Sequence, residues 1–129
     1  MNEIVLIHDL QSSPAPRRAV LERAGWHVRA THDAREALGW IRSAPPALVL
    51  VDVCVEGGTG FDVCRALRAE FEPARLPVVL GCHLYHGPEY EAEARAAGAQ
   101  GYLELPTEVD ALVRCVTDLA GTAGETRAA

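Results

Sequence analysis

The sequence contains no lysine; all twelve of its basic residues are arginine. Any site chemistry that needs a lysine ammonium is therefore excluded for this chain acting alone. Positive charge is scarce as well. Eighteen acidic residues outweigh the basic ones and leave a net charge of −6, which argues against direct nucleic-acid binding, since that needs a basic footprint. Long apolar runs are missing, and no stretch approaches the roughly 18 residues of a membrane span. The opening residues, Met-Asn-Glu-Ile-Val, carry no basic segment and run straight into a strand-like pattern. No signal peptide is expected, and cytoplasmic location is the default. Cysteine is sparse: Cys54, Cys64, Cys82 and Cys115 match no zinc or redox spacing. Cys64 and Cys115 fall in helical patterns as small core residues, and disulfides are not expected in a cytosolic chain. No internal repeat and no second domain are visible.

What is present is one informative run. Ala47-Leu-Val-Leu-Val-Asp52 leads into Val-Cys-Val-Glu-Gly-Gly-Thr-Gly60-Phe61. A short apolar run bounded by turn residues reads as a strand buried on both faces. Ligands of open parallel sheets bind outside the carboxyl ends of the strands. Asp52 stands at such an end, where a buried scaffold can hold an acid against a phosphoryl group or a metal.

Strand-like and helix-like patterns alternate five times around that run. Ile4-Val-Leu-Ile7, Val28 to Thr31, the Asp52 run, Leu76-Pro-Val-Val-Leu80 and Gly101-Tyr-Leu103 read as strands. Residues 17–24, after Ser12-Ser13-Pro14, read as the first helix, ended by Gly25. Asp33 can cap a second helix with Ala34, Ala37, Leu38 and Ile41 on one face, before Pro45-Pro46. Phe61, Cys64, Leu67 and Phe71 mark a third helix, and residues 88–97 a fourth with a thin apolar face. Val109, Leu112, Val113, Val116 and Leu119 form the clearest stripe, the fifth helix. Strands alternating with helices imply an α/β fold with a parallel sheet covered on both faces. A chain of 129 residues is one domain. Five βα units fit a doubly wound five-stranded sheet in the order 2-1-3-4-5. That order makes strands one and three neighbours and sets Asp9 beside Asp52.

From Glu3 to Leu119 the chain resembles the receiver domain of bacterial response regulators, a flavodoxin-like (βα)5 fold. The resemblance rests on His8-Asp9 ending the first strand, Leu-Val-Leu-Val-Asp52, Gly60-Phe61 and Leu76-Pro77-Val78-Val79. It continues through Ala97-Gly98-Ala99, Gly101-Tyr102-Leu103 and Pro106. It implies a receiver domain over residues 1–120; residues 121–129, small and polar, read as a flexible C-terminal tail. It implies that Asp52 is the phosphoacceptor, charged by a histidine kinase. An aspartate acts there as a weak nucleophile that forms an acyl phosphate when phosphorus is held in line. Mg²⁺ would sit on Asp9, Asp52 and the backbone carbonyl of Cys54. A hydroxyl ending strand four and a lysine before the strand-five proline would grip the phosphoryl oxygens.

Four positions depart from that pattern. His8 replaces the first acid of the pair, Cys82 the hydroxyl, Leu105 the lysine, and Glu56 a proline. Loss of one preorganised donor costs on the order of 10²–10³ in rate, and a thiol donates hydrogen bonds poorly. Tyr102 holds the aromatic position that follows the hydroxyl inward, but the donor that would move it is absent. The expectation is a degenerate, non-enzymatic receiver that signals by protein contact, with weak or no phosphorylation and at most a weak Mg²⁺ site. A working phosphoacceptor is the first alternative. A metal or redox sensor using His8, Cys54 and Cys82 is the second.

Without lysine, Asp9 and Asp52 are expected to be like charges with no fixed cation between them, leaving His8 as the one candidate cation at mildly acidic pH. Expected partners are proteins, either a histidine kinase or a downstream component. They would meet the face built from helix four, strand five and helix five, with no membrane contact; a homodimer stays open. Glu89, Glu91, Glu93 and Glu104 read as a solvated acidic face suited to a basic partner. His83 and His86 are expected on an exposed loop, and Trp26 and Trp40 as packing residues. Flavin binding is disfavoured, because the loop Asp9-Leu-Gln-Ser-Ser-Pro lacks phosphate-wrapping glycines.

Overall fold

In the computed structural model, which describes residues 2–123, the alternation seen in the sequence becomes twelve elements. They are β1 (Glu3–Ile7), α1 (Ala15–Arg23), β2 (His27–Thr31), α2 (Ala34–Ser43), β3 (Leu48–Asp52), β4 (Cys54–Val55) and β5 (Gly58–Thr59). They continue with α3 (Gly60–Glu70), β6 (Val78–Cys82), α4 (Pro88–Ala96), β7 (Gly101–Glu104) and α5 (Val109–Ala120). The main sheet is parallel in the order β2-β1-β3-β6-β7. Leaving aside the small β4–β5 hairpin, this is the expected 2-1-3-4-5 arrangement.

Period-two alternation along the strands sends side chains to two faces. Ile4, Leu6, Leu48, Leu50 and Val79 pack with Leu21, Leu112 and Val116 of α1 and α5. Val5, Ile7, Val49, Val51, Val78 and Leu80 pack with Ala37, Ile41, Phe61, Cys64, Leu67 and Ala94 of α2, α3 and α4. Trp26 lies in the first of these layers and Trp40 packs against the second. Both are packing residues, and Trp40 also carries the Arg29 guanidinium 4.0 Å above its ring.

Helix ends follow local chemistry. The Asp33 side chain accepts the Arg35 N–H at 2.9 Å and starts α2. Thr59 and Asp62 form a capping box at the start of α3. α1 is held more lightly: Leu21, near its C-terminal end, is its only fully buried residue.

The hairpin β4–β5 was not legible as strand. Its two-residue loop, Glu56-Gly57, turns through Gly57 at φ +91°. β6 begins at Val78, two residues later than the pattern suggests, because Pro77 has no N–H to give a sheet. The expected tail falls largely outside the described residues; within it, Ala123 is buried among the α1–α5 layer. Among the described residues no helix is long and apolar enough to cross a membrane.

Candidate functional site

β1 and β3 pair in register, Ile7 beside Val51, and Asp52 pairs with Gly81 of β6. The chain leaving β1 therefore passes the carboxylate of Asp52. The Asp9 N–H donates to Asp52 Oδ2 at 2.8 Å. Asp52 is 2% exposed.

A buried carboxylate needs a partner, and here the partner is Arg17 of α1. Its Nη1 donates to Asp52 Oδ1 at 2.8 Å and its Nη2 to Oδ2 at 2.9 Å. This is a two-pronged guanidinium–carboxylate pair with side chains 11% and 3% exposed, the geometry in which charge-assisted bonds are strongest. The expectation of two acids without a fixed cation is thus corrected: a fixed cation is present, supplied from α1. The sequence reading missed Arg17. Its one signal was indirect, a buried acid in a chain whose only permanent cations are arginines.

Leu105 is buried beside the same carboxylate. A Cβ built on Gly81 would stand 3.2 Å from Leu105 Cδ1 and 3.5 Å from Asp52 Oδ1. Arg17, Leu105, Pro106 and His83 line one cavity of about 190 Å³ between α1 and the start of α5. The position where the resemblance calls for lysine is therefore apolar, and the positive charge comes from α1 instead.

The remaining site residues are engaged elsewhere. Asp9 Oδ1 accepts the Gln11 N–H at 2.7 Å, holding its own loop. His8 Nδ1 lies 3.0 Å from the Asp9 carbonyl, and its ring meets His32 edge-on at 6.0 Å. The Cys82 sulfur accepts the N–H groups of Leu84 and Tyr85, both at 3.4 Å. The Tyr102 hydroxyl donates to the Tyr85 carbonyl. Burial, with Cys82 and Glu104 beside it, holds the Tyr102 phenol well above the ordinary tyrosine value. His83 is exposed, and exposed His86 donates from Nε2 to the Cys82 carbonyl at 3.0 Å. Glu56 bonds His32 Nδ1 at 2.7 Å. Its N–H points to the His32 carbonyl at 3.4 Å, a bond that proline could not make.

A divalent cation would have to compete with Arg17 for Asp52. Both Asp52 oxygens face a guanidinium, and His8 is a poor ligand for Mg²⁺. Cys54 and Asp9 do line an open groove of about 450 Å³ with Glu56 and Tyr85. Among the described residues, no group of three or more His, Cys, Asp or Glu gathers as a metal cluster. That also weighs against the sensor built on His8, Cys54 and Cys82. Burial, helped by Cys82 and Asp9, pushes the Cys54 thiol up, away from the thiolate that binds metals or reacts. All four cysteines are free.

The fold and the placement of Asp52 can now be set against known proteins. The profile of the response regulator receiver domain matches residues 4–117. The chain belongs to the response regulator receiver family. It is 27% identical over 118 residues to the sensor histidine kinase AruS of Pseudomonas aeruginosa, spanning 91% of this chain and 12% of that protein. It is 23% identical over 116 residues to the protein PilH of the same organism, spanning 90% and 95%. The receiver domain of the P. aeruginosa sensor histidine kinase PA1611, solved with a magnesium ion coordinated in its active-site cleft, superposes with a TM-score of 0.81 at 21% identity. That match covers 94% of this chain and 98% of the other. The chain is thus a receiver domain of two-component phosphorelay signal transduction, and its sheet order is that of its family.

Proposed function

We propose that this receiver signals by protein contact, as a non-enzymatic cytoplasmic module, with weak or no phosphorylation at Asp52. The observation that carries the reading is the Arg17–Asp52 pair, which occupies both oxygens of the acceptor carboxylate. A nucleophile held in two charge-assisted bonds must give up at least one before it can attack phosphorus. Leu105 and Cys82 remove two further aids, the cation and the hydroxyl that would steady the phosphoryl oxygens in the transition state. Each missing donor is worth on the order of 10²–10³ in rate. With Asp52 already neutralised, a Mg²⁺ site on Asp9, Asp52 and the Cys54 carbonyl is weak.

The partner is a protein, a histidine kinase or a downstream component, meeting the face of α4, β7 and α5. Glu91 and Glu104 line an open groove on that face, which suits a basic partner segment. A working acceptor is the second reading, and Arg17 itself favours it. The guanidinium supplies a permanent positive charge beside Asp52 and could turn to a phosphoryl group.

Incubation with a small acyl phosphate and Mg²⁺, followed by phosphate-affinity electrophoresis, separates the two. Little or no shifted band is expected. A stoichiometric band that disappears in Asp52→Asn would establish the working acceptor instead.

A further inference from the structure

We propose that Arg17 is a built-in replacement for the divalent cation at Asp52, and that the same pair docks the first turn of α1 onto the sheet. The inference rests on the reading above only in taking Asp52 as the acidic centre. The two cations compete for one carboxylate. The guanidinium covers Oδ1 and Oδ2 together, so a metal ion can reach Asp52 only after Arg17 lets go. The chain around the site suits the guanidinium. Leu105 leaves an apolar wall beside Asp52, and the Arg17 stem lies in the cavity that this wall bounds. His8 in place of an acid lowers the negative charge a metal would need. The remaining acid, Asp9, is turned to the Gln11 amide.

The pair also has a structural consequence. Ala15, Pro16, Arg18 and Ala19 are exposed, and the fully buried residue of α1, Leu21, lies four residues past Arg17. Pro16 lines the same cavity but is exposed, partly buried Val20 and buried Leu21 anchor the helix further on, and no buried apolar residue lies in the first turn. Arg17 holds it, through a contact 35 residues away in sequence. Release of Arg17 therefore frees the start of α1 and opens Asp52 in one event. The position of α1 and the occupancy of the acidic site become a single two-state property.

The test is a titration of the purified chain with MgCl₂ alone, followed by amide shifts of Asp9, Val53 and Cys54, together with amide hydrogen exchange in α1. Arg17→Gln is expected to bind Mg²⁺ at least about tenfold more tightly than the native chain, the worth of one charge-assisted hydrogen bond. Exchange at Arg18 to Leu21 is expected to quicken in Arg17→Gln and equally in Asp52→Asn, while α5 stays protected. Arg17→Lys, which keeps the charge but loses the fork, carries the same test should the glutamine variant not fold, with a gain in the same direction. Equal Mg²⁺ affinity in native and variant chains overturns the proposal, as does unchanged α1 exchange in both Arg17→Gln and Asp52→Asn. These readouts are independent of phosphoryl transfer. A native chain that labels at Asp52 would defeat the protein-contact reading and leave the affinity comparison standing.

Discussion

Gly60 opens α3 against the backbone of β3, with its N–H on the Val53 carbonyl at 2.8 Å. A Cβ there would stand 2.4 Å from the Asp52 carbonyl oxygen and 2.8 Å from Leu80 Cδ2. Backbone cannot yield as a side-chain tip can, so α3 would have to move off the sheet. Gly60→Ala is expected to lower stability by about 2 kcal/mol or more, in the range of overpacked cores, measured by urea unfolding. A loss within experimental error would mean that α3 shifts freely. The same residue scale separates what the sequence disclosed at the site from what it hid. Asp52 was legible because a polar residue ending an all-apolar strand is a sharp contrast. Leu105 and Cys82 were legible as departures once the resemblance supplied a pattern to depart from. Arg17 was not, because helical patterning finds buried faces by their apolar residues. An arginine buried by its head group is indistinguishable in that pattern from the exposed Arg18 beside it.

Elements with a strong stripe or a full strand's length were readable, and the two-residue strands were not. α5 and α2 came directly from period 3.6, and Asp33 was read as the cap it is. The β4–β5 hairpin has two residues per strand, too few for alternation to register. It is fastened by Val55 packed against the α2–α4 layer and by the Glu56–His32 pair at its turn. β7 joins its neighbouring loop in a similar way, through the Tyr102 hydroxyl on the Tyr85 carbonyl, while Tyr85 stacks on Tyr90 of α4 at 5.2 Å. This gives β7 a pH signature. The Tyr102 phenol has its pKa raised in the folded chain by burial first, then by Cys82 and Glu104. Its folded value lies above its unfolded one, so its contribution to stability is full below about pH 10, the ordinary tyrosine value. That contribution is lost as pH rises towards the folded value. Alkaline titration of phenolate absorbance, native minus Tyr102→Phe, is expected to show no Tyr102 ionisation at the ordinary pH while the chain stays folded. A phenolate signal near pH 10 in that difference would break the argument for this latch.

At the scale of the molecule, one sheet is shared by two apolar layers. The α/β class and strand order were legible because both layers draw on the same strands: β3 contributes Leu48 and Leu50 to one face and Val49 and Val51 to the other. A strand buried on both faces reads as a continuous apolar run, and that run fixed the centre of the sheet. The same sharing predicts how the chain unfolds. Removing Leu50, 2% exposed, damages only the α1–α5 layer directly and is expected to cost about 2–5 kcal/mol. That is a large part of the roughly 5–15 kcal/mol that holds an ordinary domain. The opposite layer cannot survive alone, because its sheet would lose its other cover and expose Ile4, Leu6 and Leu48. The two tryptophans report the two layers separately, Trp26 from within the α1–α5 side and Trp40 from the α2–α4 side. In Leu50→Ala, urea transitions followed by fluorescence of Trp26→Phe and Trp40→Phe backgrounds are therefore expected to move down together and coincide with the loss of helical circular dichroism. If the layer reported by Trp26 melted first, the sheet would not be coupling its two faces, and the release of α1 proposed at Arg17 would be able to spread no further than its own helix.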